Sequence, residues 1–145
     1  MRDHPEEKNA DPRNVAAKHP RVGPVRRLVN ALVNSLDGLA VAFKGEVSFR
    51  QEVALVVLLS AAALALPLDG LLKLVLVLVH LSVLVVELLN TGIEAIVDKA
   101  CPERHELAKK AKDTGSAAVL IALLAGAAAW AYAIVTLLAT GPPNP

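Results

Sequence analysis

Three long apolar runs dominate the sequence and leave few folds open to it. Residues 53–68 and 117–139 contain no charged residue, and residues 71–97 are apolar with few interruptions. A helix that crosses a bilayer needs about 20 mostly apolar residues, because its backbone groups must be hydrogen-bonded within the segment. The hydrophobic fraction of 54% with only 3% aromatic residues favours membrane helices over a soluble core. We therefore predict an all-α membrane protein, a helical bundle with three transmembrane helices.

The predicted spans cover residues 49–67, 71–98 and 115–139. The first span is extended back to residue 49 because residues 53–68 alone are shorter than a full crossing. Between the first two spans, Pro67-Leu68-Asp69-Gly70 is typical of a tight turn. Upstream, residues 25–43 carry apolar side chains at helical spacing and polar ones opposite, which predicts an amphipathic helix at the membrane surface.

The chain ends are predicted to lie outside the membrane domain, which covers residues 25–141. Residues 1–24 are charged, contain four prolines and lack an apolar period, so we interpret them as a disordered cytoplasmic tail; residues 142–145 form a short second tail. The first twenty residues show no apolar segment of a signal peptide. The single cysteine, Cys101, excludes an internal disulfide and a cysteine-based zinc site. A net charge of +1 gives no general attraction for nucleic acid.

Basic residues predict the orientation, because lysine and arginine are enriched in cytoplasmic segments. The segment before the first span and the polar loop predicted at 99–113 are rich in them: Arg2, Lys8, Arg13, Lys18, Arg21, Arg26, Arg27, Lys44 and Arg50, then Lys99, Arg104, Lys109, Lys110 and Lys112. The opposite side has Lys73 alone. We expect the amino terminus and the 99–113 loop in the cytoplasm, and the carboxyl terminus on the other side.

A polar stripe runs along the second span. Its members are Glu87, Asn90, Thr91, Glu94 and Asp98, which recur at offsets that share one helix face. An unpaired carboxylate in a membrane is costly, so the stripe predicts a metal ion, a polar substrate or a neighbouring subunit as partner. The alternative is a solvated helix face at the membrane surface.

The predicted orientation brings these carboxylates and the lysines of the 99–113 loop to the same face of the membrane. Carboxylates bind Mg²⁺ and lysines bind phosphate, so the combination suits a metal nucleotide. The sequence has neither a P-loop nor a kinase-type G-x-G-x-x-G. The residues alone therefore indicate phosphate chemistry at a membrane surface, with a small transporter or non-catalytic scaffold as the alternative.

The stripe is part of a longer motif, Glu87-x-x-Asn90-Thr91-x-Ile93-Glu94-x-x-Val97-Asp98, with Phe49-Arg50-Gln51-Glu52 upstream and residues 105–119 downstream. Residues 25–138 resemble the small prokaryotic diacylglycerol kinases. The resemblance implies an enzyme of the bacterial inner membrane that transfers the γ-phosphoryl group of MgATP to the primary hydroxyl of diacylglycerol, giving phosphatidic acid. It also implies a homotrimer with one surface helix and three membrane helices per chain, and active sites formed between subunits.

The resemblance assigns roles by position. Glu87 would be the general base and Asn90 its orienting partner, while Glu46 and Glu94 would hold Mg²⁺. The residues implied for ATP are Arg27, Glu46, Glu94, Glu103, Arg104, His105, Lys112 and Asp113. Those implied for the lipid are Arg27, Ser48, Gln51, Glu52, Glu87, Ser116 and Trp130.

Plainer interpretations stand beside several of these roles. The loop lysines would fix orientation in any membrane protein, Arg27 could anchor a lipid head group, and Glu52 could favour a helix start. Thr91 could bond back to its own helix, and Asp98 could cap the loop. His80 has no second histidine at ligand spacing and is interpreted as hydrogen-bonded within the bundle. The nearest rival activity is the same chemistry on undecaprenol, although residues 112–118 look more like the diacylglycerol branch.

Overall fold

A computed structural model describes residues 23–140, and this part of the chain folds into four helices and no strand. The helices are α1 (Pro24–Gly45), α2 (Val47–Ala65), α3 (Gly70–Ala100) and α4 (Glu106–Thr140). Helices α2, α3 and α4 are each long and apolar enough to cross a membrane. The predicted all-α fold with three spans is confirmed.

The described residues fall into two units, one within Met1–Asp37 and the other within Gly38–Pro145. In the described part of the first unit, α1 begins at Pro24, whose fixed φ suits a first helical turn. Its apolar side chains Val25, Leu28 and Leu32 are exposed, as in a helix that meets lipid with one face. Apart from Gly23 and Pro24, the tails predicted at 1–24 and 142–145 lie outside the described residues.

In the second unit, α3 packs against both α2 and α4. The tightest contact lies around Leu76 of α3, which is fully buried with Ala63 of α2 and Ala133 of α4. Small residues let membrane helices approach closely, so the two alanines allow three helices to meet around one leucine. Leu68 and Leu72 complete this cluster beside the turn between α2 and α3.

The turn between α2 and α3 sets the ends of both helices. Helix α2 stops at Ala65, earlier than the predicted residue 67, because Leu66 is extended (φ −73°, ψ 152°). Proline disfavours helical backbone at the residue before it, and Pro67 follows Leu66 directly. The Asp69 carboxylate then accepts hydrogen bonds from the amides of Leu71 (2.9 Å) and Leu72 (3.0 Å), which caps α3.

The loop between α3 and α4 is shorter than the sequence predicts. The prediction placed a polar loop at 99–113, whereas only residues 101–105 lie between the two helices and α4 begins at Glu106. Residues 106–113 are polar, but glutamate, leucine, alanine and lysine are good helix formers, so the helix extends beyond its apolar part. Lys112 and Asp113 are therefore held on a regular helix.

Candidate active site on the polar face of helix α3

The polar stripe of α3 passes from buried to exposed along the helix. Glu87 and Asn90 are buried, at 5% and 8% exposure, Thr91 and Glu94 are half-buried, and Asp98 is exposed. A single unbroken helix holds all five, so its register aligns them. The stripe thus connects the inside of the bundle with the loop at 101–105.

Asn90 lies in a close contact between α3 and α4. Its Nδ2 donates a hydrogen bond to Oε1 of Glu94 (3.2 Å), whereas its buried Oδ1 has no hydrogen-bond partner within the described part of the chain. A Cβ atom at Gly115 of α4 would overlap that oxygen. The absence of a side chain at Gly115 is therefore what admits the amide between the two helices.

Glu52 of α2 lies close enough to Glu87 for the two carboxylates to interact electrostatically. Oε2 of Glu52 is buried without a hydrogen-bond partner, and Glu87 accepts no side-chain hydrogen bond from the described residues. A buried acceptor without a donor costs free energy. Glu52 and Glu87 thus offer unused acceptors to which a bound hydroxyl group could donate.

A cavity of about 680 Å³ opens beside the end of the stripe. It is lined by residues from the end of α3, the 101–105 loop and the first turns of α4, and these include five of the residues predicted for ATP: Glu103, Arg104, His105, Lys112 and Asp113. Small-molecule sites commonly measure about 300–1,000 Å³. The cavity is therefore large enough for a nucleotide.

Lys112 joins this cavity to the stripe. Its Nζ donates to both carboxylate oxygens of Asp98, at 2.9 and 3.2 Å, and lies within electrostatic reach of Glu94. On the same helix, Lys109 forms an ion pair with Asp113, which lies one turn further along. A cation held at the mouth of the cavity by an exposed carboxylate can exchange that partner for a phosphate group.

Four further predicted site residues do not line this cavity. Glu46 is half-buried at the start of α2, and Ser48, Gln51 and Ser116 are exposed; none of the four lines the 680 Å³ cavity. Arg27 belongs to the first unit, where it is exposed. Their roles remain predictions.

The described residues contain no group of three or more histidine, cysteine, aspartate or glutamate side chains that could hold a metal. Mg²⁺ does not require such a group, because it usually binds one or two carboxylates together with waters and substrate phosphates. Glu94 fits that pattern, since it is half-buried and lies near Lys112.

A second, smaller cavity of about 190 Å³ contains Glu52 and Trp130, two residues predicted for the lipid, among apolar side chains. His80 also lines it and is hydrogen-bonded within the bundle, as interpreted from the sequence. The sequence reasoning missed Ser60, one partner of His80. A lone serine in an apolar run gives no signal of its contacts.

Comparison with known proteins agrees with the motif. A sequence model of the family "Prokaryotic diacylglycerol kinase" matches residues 33–134. The diacylglycerol kinase of Pseudomonas aeruginosa is 45% identical over 107 residues, which are 74% of this chain and 87% of that protein. The diacylglycerol kinase of Escherichia coli K12 is 41% identical over 104 residues (72% and 85%), and that of Helicobacter pylori J99 is 41% identical over 118 residues (81% and 92%).

Proposed function

The chain belongs to the prokaryotic diacylglycerol kinase family, and we propose that its phosphoryl transfer to diacylglycerol takes place between Glu87 and the 101–105 loop. The observation that carries this assignment is the pair of carboxylates of Glu52 and Glu87, which lie within electrostatic reach of each other and accept no side-chain hydrogen bond from the described residues. The primary hydroxyl of diacylglycerol can supply the missing donor. The matching relatives are named for diacylglycerol, which favours this acceptor over undecaprenol.

In this proposal Glu87 is the general base. It takes the proton of the lipid hydroxyl as the oxygen attacks the γ-phosphorus of ATP, while the bond from that phosphorus to the β,γ-bridging oxygen breaks and ADP leaves. Asn90 fixes the neighbouring Glu94 through its Nδ2, while its Oδ1 lies against Gly115 of α4. Glu52 of α2, which lies near Glu87, orients the hydroxyl. The groups that meet the lipid thus come from two helices, α2 and α3.

The nucleotide would occupy the 680 Å³ cavity, with Lys112 exchanging Asp98 for the transferred phosphate. Glu94 would hold Mg²⁺ together with the phosphate oxygens, and the metal would neutralise charge on the group in transfer. Glu103, Arg104, His105 and Asp113 would surround the rest of the nucleotide. The half-exposed Glu94 lies between the lipid groups and Lys112, which is where the metal is needed.

We place this chemistry at the cytoplasmic face of the bacterial inner membrane, since the basic residues and the supply of ATP lie on that side. We infer a homotrimer from the family resemblance. Glu46, which does not line the 680 Å³ cavity of its own chain, would then come from a neighbouring subunit. The exposed apolar residues Leu58, Ile121 and Leu138 of α2 and α4 would face lipid or another subunit.

The test is phosphate transfer from labelled MgATP in mixed micelles that offer diacylglycerol and undecaprenol side by side. We expect transfer to diacylglycerol, and a loss of about 10²- to 10⁴-fold in kcat in Glu87→Gln, the usual contribution of a general base. Asp37→Asn, an exposed carboxylate of α1, is the matched control and should retain the wild-type rate. Transfer to undecaprenol alone, or full activity of Glu87→Gln, would contradict the proposal.

The metal role of Glu94 is tested separately by titrating Mg²⁺. Glu94→Gln keeps the shape of the side chain but removes the charge that binds the cation, so we expect half-maximal activity to need about tenfold more Mg²⁺. Asn90 Nδ2 can still donate to the amide oxygen of the variant. An unchanged Mg²⁺ requirement would remove Glu94 from the metal site.

A further inference from the structure

A hydrogen-bonded network joins the three spans around His80, which is only 3% exposed. Ser60 Oγ of α2 lies 3.0 Å from His80 Nδ1, and Trp130 Nε1 of α4 donates to His80 Nε2 at 2.9 Å. The two rings are inclined by only 25°, with centroids 6.1 Å apart. Near-parallel planes suit a hydrogen bond between two ring-edge nitrogens, so the contact fixes the orientation of the indole as well as its position.

The donors and acceptors define the state of this network. The indole nitrogen of tryptophan can only donate, so Nε2 of His80 must accept and carries no proton. The remaining proton is on Nδ1, which donates to Ser60 Oγ. His80 is therefore neutral in this arrangement, and both of its nitrogens are occupied. It is not free to bind a metal or to act as a general base.

The network forms one end of the 190 Å³ cavity, and Glu52 lies at the other end. Between them the walls are apolar and include Leu55, Leu59, Val83 and Leu123. From Glu52 to Leu59 the helix rises by about 10 Å. An apolar cavity of about 150 Å³ can hold a benzene ring, so this one accommodates a stretch of hydrocarbon but not a whole lipid.

The cavity is accessible from the bilayer side of a single chain. Leu55 and Leu123, which lie on α2 and α4, are 44% and 38% exposed. A lipid whose acyl chain entered between these two leucines would have its polar end at Glu52, near Glu87. That is the arrangement required of an acyl chain whose glycerol hydroxyl reaches the base.

We propose that His80 is a positioning residue that sets acyl-chain selectivity: together with Ser60 it holds Trp130 as the end wall of the cavity below Glu52. This inference rests on the proposed function, since it names the part of the lipid that the same site receives. An acyl chain that fills the cavity meets the fixed indole of Trp130, and a longer acyl chain must bend past that ring. Without the hydrogen bond the indole can rotate and the wall is no longer fixed.

The experiment compares kinetics on diacylglycerols with short and long acyl chains, for example dihexanoyl- and dioleoylglycerol. In His80→Leu and in Trp130→Phe, which keeps an aromatic ring but has no donor, we expect the ratio of the two KM values to change by about three- to tenfold, the effect of one lost hydrogen bond. In His80→Leu the value of kcat on the better substrate should change less than twofold, because His80 does not contact the reacting atoms.

Two further variants separate positioning from general stability. His80→Gln retains an acceptor that can replace Nε2 and should restore the wild-type KM ratio. Ser82→Ala removes a serine on the same helix whose hydroxyl donates only to the carbonyl of Val79, at 2.7 Å, and should leave the ratio unchanged. A variant that only loosened the bundle would lower activity on both lipids together.

Fluorescence gives a readout that does not depend on turnover, because Trp130 is the single tryptophan of the chain. Addition of didecanoylglycerol without ATP should shift the emission of the wild type and of Ser82→Ala, and should produce a different shift in His80→Leu. Unchanged KM ratios in active His80→Leu and Trp130→Phe, or emission indifferent to the lipid, would overturn the proposal. If the wild type transferred no phosphate, the proposed function would fail, and the emission titration would still decide whether the cavity takes an acyl chain.

Discussion

At the scale of single residues, the ammonium group of Lys112 connects the two halves of the site. Without ligand it is bound to both oxygens of Asp98, so its side chain is already directed along the mouth of the 680 Å³ cavity. Asp98 is exposed, and an exposed ion pair contributes little to stability. Loss of the Lys112–Asp98 pair therefore costs little free energy, and Lys112 gains a charge-assisted hydrogen bond to the phosphate in its place.

Replacement of Lys112 by glutamine should weaken nucleotide binding with little effect on folding. Loss of a hydrogen bond to a charged group costs about 1.5–3 kcal/mol, so the KM for ATP is expected to rise by about one to two orders of magnitude. Lys110→Gln is the matched control, since Lys110 is an exposed lysine nearby on α4 that does not line the cavity. Equal effects of the two variants would mean that these lysines act through membrane orientation or general charge.

At the scale of helices, the contact between α3 and α4 is set by Gly115. Asn90 occupies the space where a Cβ atom would lie, and this places the polar face of α3 directly against the start of the apolar part of α4. The opposite end of the same pair is fixed by Leu76 against Ala133. One polar and one apolar contact thus determine how α3 and α4 are aligned.

Gly115→Ala should therefore disturb both packing and catalysis. The added methyl group would displace the Asn90 amide and with it the hydrogen bond to Glu94, and overpacking of this kind costs about 1–3 kcal/mol. We expect a lower thermal midpoint in detergent and a lower kcat. Gly92→Ala is the control, because a Cβ there has no neighbour within 4 Å in the described chain and alanine favours helix. A Gly115→Ala protein as stable and active as Gly92→Ala would show that the close approach is unimportant.

The sequence predicts those features of the site that lie within one helix, and it does not predict contacts between helices. The order of Glu87, Asn90, Thr91, Glu94 and Asp98 along one face depends only on helix geometry, and the spacing is enough to predict it. The contacts of Asn90 with Gly115 and of His80 with Ser60 and Trp130 depend on the alignment of different helices. Helices α2 and α4 are apolar on nearly every side, so their sequences do not indicate which face packs inward.

At the scale of the whole molecule, the reaction requires the lipid and the nucleotide to meet at one membrane face. The two cavities lie near opposite ends of the polar face of α3: the smaller is lined by Glu52 and apolar residues of the bundle, and the larger by the end of α3, the 101–105 loop and the first turns of α4. Diacylglycerol and ATP would then approach Glu87 and Glu94 from opposite directions. This arrangement works in a cell only if residues 101–105 face the cytoplasm.

The single cysteine makes that orientation measurable. Cys101 is half-buried in the 101–105 loop, which we propose lies on the cytoplasmic side. A membrane-impermeant maleimide should therefore not label it in intact spheroplasts and should label it after lysis. The matched control is Gly70→Cys in a Cys101→Ser background, because residue 70 is exposed at the start of α3, at the opposite end of that helix from Cys101. That protein should be labelled before lysis. The reverse pattern would put the nucleotide cavity outside the cell, away from ATP, and would contradict the orientation on which the proposed reaction depends.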